Sequence, residues 1–362
     1  MDQTAVVVLF GGRSSEHSIS SVTAGGVLRA IDRDRYRVIP VGITRDGVFV
    51  LEDDDPDKFA LDTESLPEVT DNGTRIVWPY SGDRTLVVRD ADGTERDLGT
   101  IDVVLPILHG THGEDGTVQG FLDTLDLPYA GGSVLDSALC MDKHFMKVVL
   151  QAAGIAVAPW VTVRSSEWTG DAAAIAERAS GLTLPWFVKP ARAGSSVGVS
   201  KVHGVDELAA ALDLAFAEDD KVLVEQAVVG REIEVGVLGA RKDGATRVSL
   251  PGEIVLTTRE FYDFEGKYLG GDGVDVICPA DMDPAQITAV QDAAVRAFEA
   301  VDGRGLARVD FFLGAEGPVV NELNTMPGFT PISMFPKCWI ASGMSYEDLI
   351  TDLIEQVRER AA

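Results

Sequence analysis

The chain has 362 residues, 45% of them hydrophobic and 25% charged, with a formal net charge of −27 at pH 7. That length is more than one core serves and predicts two or three domains of an ordinary globular protein. The acidity disfavours a nucleic-acid partner, which needs clustered cations, and no apolar run reaches the roughly 18 residues of a membrane span.

The N-terminus, MDQTAVVVLFGG, reads directly as a strand and turn and lacks the basic region of a signal peptide, so a cytoplasmic protein is expected. Cys140, Cys278 and Cys338 are far apart and odd in number, and the histidines show no ligand spacing. Neither a disulfide framework nor a zinc site is expected from them.

AVVVLF (5–10) is the near-continuous apolar run of a buried parallel strand. It ends in Gly11-Gly12, and helical spacing follows from about residue 16, with Ser14 or Ser15 as the expected N-cap. VIPVGI (38–43) is the next strand, turning at Asp46-Gly47 into a short hairpin. Residues 52–100 are polar and turn-rich, with two hairpin candidates. IDVVLPILHG (101–110) is a further buried strand, leading through HGTHGEDGTVQG into a helix near 117–126. This first third reads as α/β.

Past LPYAGGS (127–133), DSALCMDKHFMKVVLQAAG reads as one amphipathic helix ending at Gly154. VAPWVTV and LPWFVKP are strands around an Ala-rich helix (171–180), followed by a helix over 204–217 and the strand KVLVEQAV (221–228). The last third is strand-rich. It then holds a Gly- and Tyr-rich loop, a helix over 283–301, the strands LARVDFFLG and GPVVNELN, and a helix from Tyr346. The expected domains are 1–131, 132–228 and 229–362.

In VVNELNTMPG (319–328), Glu322 and Asn324 stand two apart on a strand and so share a face. LARVDFF (306–312) does the same with Arg308 and Asp310, and GAEG (314–317) supplies the turn between the two strands. A hairpin would set Asp310 across from Glu322 and Asn324. Three oxygen donors and an arginine on one face suit Mg²⁺ and a triphosphate; a surface ladder of ion pairs is the plainer alternative.

KPARAGSSVG (189–198) ends a strand in Lys189 and continues with Gly194, Ser195, Ser196 and Gly198, residues small enough to let backbone N–H groups surround a phosphate. A flexible turn has the same composition. Neither a Walker A loop nor G-x-G-x-x-G occurs. Glu225 and Glu232 flank the end of an apolar strand, where carboxylates serve either a ribose or the solvent. Glu16 and His109 follow the carboxyl ends of two parallel strands, where open sheets bind ligands. A carboxylate there suits an ammonium group, while His109 fits a satisfied turn equally well. FYDFEGKYLGGDG (261–273) has the aromatics of a lid that orders on binding. On so acidic a chain, an anionic ligand has to be held locally, by Lys143, Lys189 and Arg308.

HGTHGEDGTVQG, MDK (141–143), GLARVDFF and NELNTMPG together resemble the ATP-grasp superfamily and, within it, the D-alanine–D-alanine ligases, over essentially the whole chain. The resemblance implies an ATP-grasp fold, α/β and α+β, with an N-terminal doubly wound parallel-sheet domain. It implies the ATP-dependent joining of two D-alanines through an acyl phosphate for peptidoglycan precursor synthesis. Lys143, Lys189, Ser195 and Ser196 would then meet the ATP phosphates, with Glu225 and Val228 framing the adenine, Glu232 the ribose, and Lys267 also in the ATP site. Asp310, Glu322 and Asn324 would hold two Mg²⁺ ions, for which Mn²⁺ substitutes. Glu16 would take the first D-alanine's ammonium with His109 nearby, and Arg308 with the Gly328 N–H would form an oxyanion hole. Ser333 would lie by the second carboxylate, and Tyr268 would join Glu16 and Ser195. Relatives are usually homodimers. D-alanine–D-lactate and D-alanine–D-serine ligases are the alternative, and the YDFEGKY segment favours two amino acids. A non-catalytic nucleotide-binding regulator would be expected to have lost the lysines or metal ligands, which all stand here.

Overall fold

The computed structural model describes residues 3–62, 65–80, 82–242, 244–256 and 273–361. Lys267, Tyr268 and the aromatic loop around them lie outside the described residues.

The chain begins with β1 (Thr4–Gly11), α1 (His17–Ala30), β2 (Tyr36–Ile43) and β3 (Phe49–Leu51). It continues through β4 (Arg75–Val77), β5 (Thr85–Arg89), β6 (Glu95–Thr100), β7 (Val103–Ile107) and α2 (Thr117–Thr124). The first sheet has the order β3-β2-β1-β7, with β1 parallel to both neighbours and β3 antiparallel at the edge. Strand alternation explains why β1 is apolar throughout. Val6, Val8 and Phe10 pack in one cluster with Leu28 of α1 and with Leu353 and Ile354 of the C-terminal helix. Val7 and Leu9 belong to the opposite cluster, with Val118 and Leu122 of α2. Residues 52–100, expected to hold two hairpins, form the small antiparallel sheet β4-β5-β6.

Glu16, not Ser14 or Ser15, is the N-cap of α1, and its side chain makes no capping bond. The Ser14 hydroxyl is used elsewhere: it donates to the His109 carbonyl at 2.7 Å and accepts from the Glu16 amide. The expected single helix after residue 133 is two, α3 (Val134–Met141) and α4 (Lys143–Ala152). Asp142 takes an extended conformation between them and accepts from the amides of His144 and Phe145. A capping carboxylate thus starts a new helix where apolar spacing alone suggested continuity.

Next come β8 (Trp160–Arg164), α5 (Ala172–Arg178), β9 (Trp186–Pro190), β10 (Ser200–Val202), α6 (Val205–Phe216) and β11 (Lys221–Gln226). The strands make an antiparallel sheet, β10-β9-β11-β8. The last elements are β12 (Arg231–Leu238), β13 (Arg247–Val248), β14 (Gly252–Leu256), β15 (Val274–Ile277), α7 (Pro284–Ala300), β16 (Leu306–Gly314), β17 (Gly317–Asn324), α8 (Met334–Ala341) and α9 (Tyr346–Ala361). Their sheet runs β15-β14-β12-β16-β17, with β13 beside β12. The short helix α8 was not anticipated. It buries Phe335, Cys338 and Trp339 behind β12, and α9 returns to cover the first sheet. Among the described residues, no helix is long and apolar enough to cross a membrane.

Candidate active site

The β16–β17 register pairs Arg308 with Asn324 and Asp310 with Glu322, a pairing that a bulge creates, since an unbroken ladder from the Gly314–Gly317 turn would set Asp310 across from Asn321. Arg308 donates to both carboxylate oxygens of Asp310 at 2.7 Å, and its Nε lies 2.9 Å from Glu234 on β12. Burial opposes a charge here, yet the Asp310 and Glu234 carboxylates hold the guanidinium well above its ordinary pKa. Asn324 donates from Nδ2 to Asp310 at 2.9 Å. Beyond Asp310 the register shifts, so that Phe311 faces Val320 and Asn321 is the extra residue of a bulge. That turns the Asn321 amide toward Lys189, 3.5 Å away.

A cavity of about 350 Å³ lies between the two antiparallel sheets. Lys189, Glu225 and Val228 line it from β9, β11 and the residues after β11, and Glu232, Asp310 and Glu322 from β12, β16 and β17. Ser195 and Ser196 close over it in consecutive left-handed conformations, φ +51° and +58°, a strain that non-glycine residues keep where a loop's shape matters. Glu225 does not face solvent. Its two oxygens lie 2.9 Å from Lys189 Nζ and 2.9 Å from Lys147 Nζ. Burial works against its charge, and the two ammonium groups together hold it below the usual carboxylate range. Lys147 has no exposed side-chain surface; burial brings its pKa down to about 8, with Glu225 pulling the other way. Lys143 starts α4, donates to the Ala193 carbonyl at 2.8 Å and lies 3.7 Å from Glu322.

A second, smaller cavity of about 70 Å³ shares Lys143, Ser195 and Glu322 with the first. Its other walls include Glu16, His109, Arg308 and Gly328. Ser195 donates to Glu16 at 2.6 Å across 179 residues of sequence. A Cβ on Gly110, at φ +74°, would come within 2.7 Å of the Glu16 carboxylate, so a side chain there would be strained and would displace Glu16. His109 is buried between Met326 O (3.1 Å from Nδ1) and Thr23 Oγ1 (3.3 Å from Nε2). Burial lowers its pKa despite the nearby Glu16 charge, so the neutral ring ties β7 to the 326–328 turn. Of the expected residues, Ser333 alone among those described stands off both cavities: it is the N-cap of α8, bonded to Thr330 Oγ1 at 2.7 Å.

Three residues escaped the sequence reading. Glu114, in HGTHGEDG, lines the small cavity, and its carboxyl is pushed up to about 8, first by burial and then by the Glu16 charge. It accepts from the Gly110 amide. The motif held the signal, since Glu114 is the one carboxylate between its glycines that turns inward. Lys147 was legible as the i+4 partner of Lys143, on the same helix face. Asn321 carried no signal, because a bulge breaks the period-2 pattern that would have pointed it outward.

Two antiparallel sheets clasping a cavity with lysines on one wall and oxygen donors on the other define an ATP-grasp ligase. Family models described as D-ala D-ala ligase N-terminus and C-terminus match residues 5–132 and 149–355. The D-alanine–D-alanine ligase of Paenarthrobacter aurescens (strain TC1) is 49% identical over 353 residues, covering 96% of this chain and 93% of that protein. The one from Kineococcus radiotolerans is 49% identical over 364 residues, covering 98% of this chain and 96% of that protein. Among solved structures, the D-alanine–D-alanine ligase from Coxiella burnetii matches with a TM-score of 0.83 and 33% identity, over 100% of this chain and 96% of that one. A D-Ala:D-Ser ligase from Enterococcus faecalis also matches at 0.83 and 33%, over 98% of this chain and 100% of that one. The chain belongs to the D-alanine–D-alanine ligase family.

Proposed function

We propose that this chain joins two molecules of D-alanine into D-alanyl-D-alanine, converting ATP to ADP and phosphate, for peptidoglycan precursor synthesis. The observation that carries this reading is the shared wall of the two cavities: Lys143, Ser195 and Glu322 border both the large nucleotide-sized space and the small polar one. A phosphoryl group and an amino-acid carboxylate can meet only at such a junction.

A carboxylate resists attack by an amine because its leaving group would be oxide. Transfer of the γ-phosphoryl group to the first D-alanine gives an acyl phosphate and ADP; the second D-alanine's free amine then attacks the acyl carbon, and phosphate leaves. Lys143 and Lys189 balance the phosphate charge, and the Ser195–Ser196 loop covers it. In this reading Glu225 and Val228 hold the adenine and Glu232 the ribose. Glu16, held by Ser195, takes the first ammonium. Arg308 and the Gly328 N–H meet the oxyanion, where loss of one donor typically costs ~10²–10³ in rate.

Asp310, Glu322 and Asn324 fit Mg²⁺ or Mn²⁺: two carboxylates and one amide are hard donors too few to fill a shell, which leaves positions for phosphate oxygens and water. Two such ions would neutralise charge on the transferred phosphoryl group. A homodimer in the cytoplasm completes the proposal.

The test is ADP release with ATP and Mg²⁺, supplying amino acids singly and in pairs. ADP release that requires D-alanine, with D-alanyl-D-alanine as product, is expected. Product only with D-serine or D-lactate as the second partner would reassign the acceptor, and no ADP release with any amino acid would refute a ligase.

A further inference from the structure

Among the described residues, Lys147 is the largest charged side chain that is enclosed completely. It sits on α4 one turn after Lys143, reaches inward under β8 and β11, and ends 2.9 Å from the Glu225 carboxylate. It also meets the Ala158 carbonyl at 3.4 Å and the face of Trp160, 5.7 Å from the ring centre, and feels the Lys189 and Lys143 charges. Burying an ion pair gains little net stability over apolar packing, so stability alone does not account for a lysine this far from water. The proposed function does not employ it, because Lys143 and Lys189 are the lysines that line the larger cavity.

What Lys147 does touch is the cavity wall. Glu225 ends β11 with one oxygen toward Lys189 and the other toward Lys147. In the reading above, Lys189 serves the phosphates once ATP binds, and its hold on Glu225 then weakens. A carboxyl group this deeply buried, with no other cation, takes up a proton. Ionised, it is an acceptor only; protonated, it also donates. The difference matters for a purine. Adenine presents an exocyclic amino donor where guanine presents a carbonyl acceptor.

We infer that Lys147 is a positioning and specificity-determining residue, which keeps Glu225 an ionised acceptor for the adenine amino group and so excludes guanine nucleotides. The inference rests on the assignment of the large cavity to ATP. It also explains the direction in which Glu225 titrates, since Lys189 from β9 and Lys147 from α4 are the two charged groups that face it.

The experiment compares kcat/KM for ATP and for GTP, at saturating D-alanine and Mg²⁺, in the full-length enzyme. Wild type is expected to prefer ATP. Lys147→Met should raise KM for ATP and cut the ATP-to-GTP ratio by about ten- to a hundredfold, the worth of one hydrogen bond to a charged group. kcat at saturating ATP should change little, because the phosphoryl end is untouched. Lys147→Arg should restore the ratio, which a loss of packing alone would not explain. Where Lys147→Met does not fold, Glu225→Gln gives the same reading, since an amide donates as well as accepts and should lose the same ratio. A folded Lys147→Met or Glu225→Gln enzyme with the wild-type ratio overturns the inference, as does an active wild type that uses GTP equally well. A wild type releasing no ADP from ATP with D-alanine overturns the proposed function instead.

Discussion

Glu114→Gln isolates a carboxyl group whose protonation should follow substrate binding. In the free protein, burial and the Glu16 charge push Glu114 up to about 8. A carboxyl group with that pKa is ~0.9 protonated at pH 7 and ~0.1 protonated at pH 9. A D-alanine ammonium entering the cavity that Glu16 and Glu114 share favours the ionised form and draws the pKa back toward its ordinary value near 4.3. Binding at pH 7 should therefore release ~0.9 proton per D-alanine, falling to ~0.1 at pH 9. Calorimetric titration in buffers of different ionisation enthalpy, with a non-hydrolysable ATP analogue present, reads this number directly. Glutamine cannot ionise, so Glu114→Gln should abolish the release and, by losing a hydrogen bond to a charge worth about 1.5 kcal/mol, raise KM for D-alanine roughly tenfold. Proton release that is absent in wild type, or unchanged in the variant, refutes the reasoning. The same shift has a sign for stability. The folded free protein holds this proton more tightly than the unfolded chain, so the contribution is full below the ordinary carboxyl pKa and is lost as pH rises through about 8.

Arg308→Met leaves the buried Asp310 and Glu234 carboxylates without their cation; urea denaturation should show a loss of about 3–5 kcal/mol, and a loss below 1 kcal/mol would contradict the ion-pair account. Gly110→Ala puts a Cβ 2.7 Å from Glu16 at a left-handed φ. It should cost about 1–2 kcal/mol in stability and raise KM for D-alanine, while an unchanged KM would separate Gly110 from the substrate cavity. Ser195→Ala removes the 2.6 Å hydrogen bond to Glu16. The expected loss of about 1 kcal/mol corresponds to a roughly fivefold rise in KM for D-alanine, with thermal stability as the control for an unaltered fold.

Local rules carried the sequence reading a long way. Alternation placed Arg308 with Asp310, and Glu322 with Asn324, on shared strand faces, but it took the bulge at Asn321 to bring the two pairs opposite each other. The continuous apolar run of β1 implied cover on both faces, and the clusters on either side of it supply that cover. Where local rules competed, the reading slipped. Asp142 broke an apolar helix by capping a new one, and the serines before α1 bonded to a distant carbonyl instead of the helix start.

Which segments form the main strands and most of the helices was therefore determined by the sequence alone, because apolar runs and alternation depend on residues within a turn or two of one another. Only the tertiary structure decided which distant groups share a space: Ser195 with Glu16, His109 with Met326, and Lys147 with Glu225. The charge states of Glu114 and Lys147 were decided there too. A pKa depends on how much water the fold removes and which charges it brings near, and neither is a property of neighbours along the chain.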